Sequence, residues 1–299
     1  MSGKTVNSAL LLLVIGNAMA LVSDVIIKLL EPGAPVFQFA FLRCVLTLLL
    51  LLPLWKQIDR RRLFEGARVH FVRAHIHLAG ILCMVVALVT LPLATANALF
   101  YASPILVMVL SVLLFRERLT ALSLIAVVSG FAGIVVILRP TAINWGALAA
   151  LGAATALAIN AVMVRKLPAR QSTVHKLFLT YLMVIPASFA LMLVEGADWD
   201  PAILVHALGS ALFILGYNVT VLLAYHQVDA NQVTSAEYTG LIWAVAFGWI
   251  GFGEVPDWWF VVGSGMIVVP LVLIGLKQRR KARAESHYVG DSEYHGASG

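Results

Sequence analysis

Asn17, Asp24 and Lys28 stand seven and four residues apart inside an apolar run, a spacing that sets them along one face of a helix. A charge in hydrocarbon costs about 2.5–3.5 kcal/mol on insertion scales, so such a face must look toward protein or water. Lys28 is near enough to the end of its run to snorkel. Asp24 has two readings: an ion pair with Lys28 at i+4, or a group that lines a path or carries a proton. Arg43 lies about three turns into the next run, too deep to snorkel, and needs a buried partner. Asp24 and Glu237 are the intramembrane carboxylates on offer, and a helix-to-helix clamp is the expected role, with direct solute contact as the alternative. His77 has no metal ligand at i+3 or i+4. It is expected one turn inside its span as a packed, hydrogen-bonded residue, with proton relay as the alternative.

Further along, Asn97, Tyr101 and Pro104 recur at i, i+4 and i+7 as one polar, kinked stripe. A proline inside a span frees a carbonyl, which is tolerable only where protein or a water-lined cavity satisfies it. The stretch with Thr234, Glu237 and Tyr238 corresponds to it, with Trp243 beyond. Asn160 and Thr155 in one run, and Tyr217, Asn218 and Tyr225 in another, add further polar and aromatic groups. Such groups, converging on a cavity, hold a flat, partly apolar solute by stacking and cation–π contact. The candidate solute-binding set is therefore Asn17, Asp24, His77, Asn97, Tyr101, Pro104, Asn160, Tyr217, Glu237, Tyr238 and Trp243. The chemistry they suit is binding and passage. No P-loop, HExxH, GxSxG or strand–helix GxGxxG is present, so ATP hydrolysis is excluded, no cofactor or metal is expected, and an enzyme is the least supported class.

The elements that must position these groups are membrane spans. Residues are 61% hydrophobic and 12% charged, against about 25% charged in soluble domains, and the mean hydropathy is +0.93. A span needs about 20 apolar residues. Ten such segments are read at 8–30, 35–55, 72–91, 94–115, 120–138, 145–164, 175–194, 202–224, 231–252 and 257–276, with no room for a soluble domain. Ala18-Met19-Ala20 imitates a signal-cleavage site, but the apolar run continues to Leu30, so a retained first helix is expected. Of the 21 lysines and arginines, all except Lys28, Arg43 and Arg139 fall on one side of this topology, which places both termini in the cytoplasm. Basic residues distributed between apolar segments do not make a nucleic-acid face. Trp145, Trp199, Trp258 and Trp259 fall near the opposite ends of spans and read as interface anchors. Cys44 and Cys83 carry no metal or disulfide spacing.

The stretch from Thr90 to Glu117 has an echo 137 residues later: Tyr101 falls over Tyr238, Phe115 over Phe252, Glu117 over Glu254, and Lys28 over Arg165. The chain is thus read as two repeats, 8–140 and 145–277, followed by a tail, 278–299, that is basic and then polar and unstructured. Five spans per repeat force the second to enter the membrane inverted, as in many transporters. Glu117 and Glu254 are expected to cap helices rather than to gate. Ser129, Gly130 and Gly133, with Gly263 and Gly265, let helices approach closely and offer a dimer contact, leaving monomer and homodimer both open.

The N-A-x-x-Y-x-x-P-I stretch from Asn97 to Ile105, running into LLFRERLT at 113–120, resembles the EamA-type repeats of the drug/metabolite transporter superfamily over residues 8–277. Within that superfamily the chain is most similar to bacterial aromatic amino acid exporters. The resemblance implies an all-α polytopic membrane protein, with ten transmembrane helices as two inverted five-helix repeats around a central cavity. It further implies a carrier in the bacterial inner membrane that exports small metabolites, aromatic amino acids first. Leu241 stands where a proline is usual, so the ninth span is expected to bend less.

Overall fold

The computed structural model describes residues 3–31, 33–116, 120–139, 144–227, 236 and 238–296. Without water in the hydrocarbon, each backbone N–H and C=O must be satisfied within its own segment. The described chain is accordingly helical: α1 (Gly3–Lys28), α2 (Val36–Leu51), α3 (Ala67–Thr90), α4 (Leu93–Phe100), α5 (Ala102–Phe115), α6 (Ala121–Leu138), α7 (Trp145–Met163), α8 (Thr173–Glu195), α9 (Pro201–Gln227), α10 (Thr239–Phe252) and α11 (Trp258–Gly296). Helices α4 and α5 share one crossing; among the described residues nine helices are long and apolar enough to cross a membrane, and α10 is a shorter apolar helix beside them. Successive crossings alternate in direction, which puts Lys28, Thr90 and Phe252 at one end of the bundle and Phe115 and Arg165 at the other. Bare apolar side chains such as Leu113, Val205, Ile242 and Ile250 cover the outside, a surface suited to lipid tails rather than water.

The offset of 137 extends to details of the backbone. Helix α5 ends with Arg116 in the left-handed region and α10 ends with Gly253 in the same region, at φ 56° and 65°. Thr120 Oγ1 accepts from Ser123 N to start α6, and Asp257 Oδ1 accepts from Phe260 N to start α11. Both are side-chain caps of helix N-termini. Packing obeys it too: α3 lies on α7 as α9 lies on α1, α8 on α3 as α9 on α2, and α5 on α7 as α10 on α1. The two repeats are inverted copies, each completing the other's core.

Two expectations need correction. The third crossing begins at Ala67, five residues before its hydropathy suggests, because Arg68, His70 and Arg73 depress its first turns; His77 therefore sits about three turns in. The backbone of α11 stays helical to Gly296, where the polar tail is expected to be unstructured; lysine, arginine, alanine and glutamate just beyond Leu276 are good helix formers. Tyr238 (φ −72°, ψ −8°), at the start of α10, has the conformation of Tyr101 (φ −67°, ψ −3°) at the start of α5, and the stretch before it, on which the expected smaller bend depends, lies outside the described residues.

Helices α6 and α11 cross where Ser129 Oγ donates to Met266 O at 2.7 Å, two positions that are themselves 137 apart. A Cβ on Gly133 would stand 2.5 Å from Gly263 O, and one on Gly263 2.6 Å from Gly133 O. These glycines, offered by the sequence as a dimer seam, meet each other inside the chain instead. Gly263→Leu is expected to cost stability at or beyond the upper end of the roughly 1–3 kcal/mol of core overpacking. Gly265→Leu, where nothing lies near an added Cβ, should leave thermal unfolding in detergent unchanged.

Candidate functional site

Helices α2, α3, α7, α8 and α9 enclose a cavity of about 190 Å3 midway along the bundle, displaced toward the Arg165 end. Gly80 lets α3 close on α7, since a Cβ there would lie 2.9 Å from the Ala156 methyl. Ile81, Met84, Leu157, Leu177 and Ile214 form its apolar wall, and Arg43, His77, Asn160, Tyr181, Tyr217 and Asn218 its polar one. Asn160 Nδ2 donates to Ala156 O and Asn218 Nδ2 to Ile214 O, so both amides are held against their own helices. The His77 and Tyr181 rings meet edge to face at 5.4 Å. Arg43 is only 4% exposed, and its NH1, like His77 Nε2, has no hydrogen-bond partner among the described residues.

A second group gathers at Tyr101 and Tyr238, where α5 and α10 begin. The Tyr101 and Tyr238 rings pack with centroids 5.9 Å apart, tilted by 42°, so the equivalent residues of the repeats do meet. Pro104 stands in the first turn of α5, where its missing N–H leaves the chain free to turn at Tyr101. In the second repeat Leu241 stands in its place, and Asn17 binds the start of α10: its Nδ2 donates to Ala236 O at 2.9 Å and to Thr239 Oγ1 at 3.0 Å. Gly240 admits the Tyr101 hydroxyl, which would stand 2.5 Å from a Cβ there. Trp243 Nε1 donates to Val14 O, and its ring stacks on Phe247.

Asp24 is buried, hydrogen-bonded to the Asn97 side chain and within electrostatic reach of the Arg43 guanidinium. No ion pair joins it to Lys28 or Arg43 among the described residues, so the i+4 pairing is corrected, while Glu237, the other carboxylate expected to clamp Arg43, lies outside the described residues. Of the residues expected to bind solute, His77, Asn160 and Tyr217 line the cavity. Asn17, Asn97, Tyr101, Pro104, Tyr238 and Trp243 gather near the starts of α5 and α10 instead, and Glu237 lies outside the described residues. Thr155 bonds its own helix on an exposed face. Tyr181 escapes sequence reasoning because it sits in an unremarkable apolar run, whereas solute contact is one of the two readings that the depth of Arg43 allows, and the side chain lies on the cavity wall.

Each end of the bundle carries a cationic side chain from one repeat on an aromatic ring of the other. Lys28 Nζ lies 5.3 Å from the Phe252 ring centroid, 2.9 Å from Glu254 Oε1 and 2.7 Å from Leu91 O. Glu254 Oε2 accepts from Leu93 N, capping α4 across the repeats. At the opposite end the Arg165 guanidinium lies 5.2 Å from the Phe115 ring. Both pairs are related by the offset of 137, and Glu117, the counterpart of Glu254, lies outside the described residues.

A family model described as the EamA-like transporter family matches the chain twice, over residues 7–139 and 144–276. A riboflavin transporter of Vibrio cholerae is 27% identical, with 93% of this chain and 95% of the relative aligned. An S-adenosylmethionine uptake transporter of Rickettsia conorii is 27% identical over 89% and 91%, and a pseudopaline exporter of Pseudomonas aeruginosa 24% identical over 89% and 95%. A solved crystal structure superposes with a TM-score of 0.62 at 18% identity, over 92% of this chain and 98% of the other, a likeness of fold.

Lys28 and Glu254 are only 11% and 20% exposed, and breaking a buried pair costs about 3–5 kcal/mol. Lys28→Ala and Glu254→Gln should each lower the unfolding midpoint, and the double variant should lose far less than their sum; additive losses would remove the pair as a coupled unit. Gly240→Ala is expected to cost about 1–3 kcal/mol by overpacking, most of it recovered when Tyr101→Phe is added, as read by the same unfolding assay.

Proposed function

Because the chain belongs to the EamA-like transporter family, we propose that it is an inner-membrane carrier that exports a small metabolite by alternating access between the repeats 8–140 and 145–277, with both termini cytoplasmic. The observation that carries this reading is the reciprocal pair of end contacts, Lys28 on Phe252 and Arg165 on Phe115. Inverted repeats exchange conformations when the carrier turns over, so one contact loosening while the other holds gives each end a turn as the closed one. A permanently open channel has no use for matched closures at both ends.

Cargo follows from the lining. At about 190 Å3, the cavity is smaller than the roughly 300–1,000 Å3 of sites for drug-sized ligands, which suits a solute of amino-acid size. The rings of His77, Tyr181 and Tyr217 around it favour a solute with an aromatic face. Aromatic amino acids fit both, and remain our first cargo. The relatives named for riboflavin, S-adenosylmethionine and pseudopaline supply the competing cargoes, and they divide between uptake and export, so direction rests on the resemblance to exporters.

The test is uptake of labelled phenylalanine or tryptophan into liposomes holding the purified chain. Saturable uptake and counterflow, blocked by unlabelled aromatic amino acids but not by sugars, is the expected result. Block by riboflavin or S-adenosylmethionine alone would keep the carrier and replace the cargo, while flux that never saturates would overturn the carrier.

A further inference from the structure

Arg43 is the anomaly of the bundle. It sits near the middle of α2, 4% exposed, on the wall of the cavity, with NH1 unsatisfied among the described residues. A guanidinium does not shed its charge by deprotonating, and a buried charge without a partner is among the costliest groups a fold can carry. The cavity wall offers no carboxylate. Asp24 is within electrostatic reach of Arg43 but hydrogen-bonded to the Asn97 side chain, and no ion pair joins it to Arg43 among the described residues. Two more donors point the same way. His77 Nε2 is an unpartnered atom of the same cavity, and Arg73, one turn before it on α3, has Nε and NH1 unpartnered as well. His70, Arg73, His77 and Gly80 share one face of α3 by their spacing of three, four and three, so a donor-rich stripe runs from the Arg165 end to the cavity.

We infer that the transported solute carries a carboxylate, and that Arg43 is the residue that receives it. The inference rests on the carrier reading. A carboxylate accepts two parallel N–H bonds from one guanidinium, which supplies what Arg43 lacks, while the apolar wall of Ile81, Met84 and Leu177 receives the uncharged remainder. His77, against the Tyr181 ring, stands beside the anchored group as a second donor. A single guanidinium in an otherwise neutral wall balances one negative charge, which favours a carboxylate over the double charge of a phosphate monoester. In this account the occupied cavity, rather than Asp24, completes Arg43, so the carrier without cargo holds an unsatisfied charge that binding relieves.

The experiment compares matched pairs on the full-length chain in detergent: phenylalanine against phenylalaninamide, and indole-3-propionate against its amide, with phenyl phosphate as a third probe and thermal unfolding as the readout. At millimolar concentration at least one carboxylate should raise the unfolding midpoint while its amide partner does not. Arg43→Gln should abolish that shift, and Arg43→Lys should retain it with affinity weakened about tenfold. The variant without ligand separates an anchor from a clamp: Arg43→Gln should unfold at or above the wild-type temperature, since it removes an unsatisfied charge, whereas a clamp on Asp24 predicts a lower one. Should Arg43→Gln not fold, the clamp is upheld and the anchor overturned. Equal shifts from acids and amides, a shift from phenyl phosphate alone, no shift from any carboxylate, or a shift that survives Arg43→Gln would each overturn the proposal. Saturable liposome uptake of neutral solutes unaffected by Arg43→Gln would leave the carrier standing and sink the anchor; carboxylate binding lost in Arg43→Gln, without any uptake, would do the reverse.

Discussion

A polar group in hydrocarbon must find its partner within the protein, and here many of those partners lie in the other repeat. Asn17 satisfies the backbone at Ala236, Lys28 meets Glu254, Ser23 meets Ser210, Ser129 reaches Met266 O and Trp243 reaches Val14 O. Even the start of α2, whose N-cap position is Pro35 and so offers no side-chain acceptor, is served from the far half, by the Glu195 carboxylate on Phe37 N and Gln38 N. Each repeat alone would leave these groups bare. Their mutual satisfaction ties the two five-helix units into one body.

That dependence gives the symmetry mechanical meaning. Contacts related by the offset of 137 lie at opposite ends of the bundle, so a change that tightens one can relax its counterpart while the central crossing of α6 and α11, backbone against backbone at Gly133 and Gly263, stays in place. The aromatic pair at Tyr101 and Tyr238 joins the two repeats where α5 and α10 begin.

Function separates from fold at the side chains of the cavity. The repeat architecture is common to relatives named for riboflavin, S-adenosylmethionine and pseudopaline, so the backbone alone cannot select a cargo. Selection falls to the few groups that break the rule of internal satisfaction. Arg43 and His77 are the two lining residues with an unpartnered nitrogen, and an incomplete hydrogen-bond inventory at a cavity is where a solute can be recognised.

By itself the sequence determines an all-helical polytopic membrane protein with two similar halves and the register between them. Hydropathy along one chain and the recurrence of Tyr101 as Tyr238 are local, one-dimensional signals, and bilayer thickness leaves little freedom in reading them. It also signals that Asp24, Arg43 and His77 are polar groups held in apolar surroundings. Tertiary structure alone decides who meets whom. Lys28 has Asp24 one turn away in sequence and chooses Glu254, 226 residues on, because the end of α1 packs where the second repeat closes. Tyr101 and Asn97 read as cavity lining but are drawn to the helix break, and Tyr181, silent in its apolar run, becomes a wall of the cavity. Spacing along a helix says which residues share a face; which other helix that face lies against depends on how the helices pack, and that information is carried by the whole bundle at once.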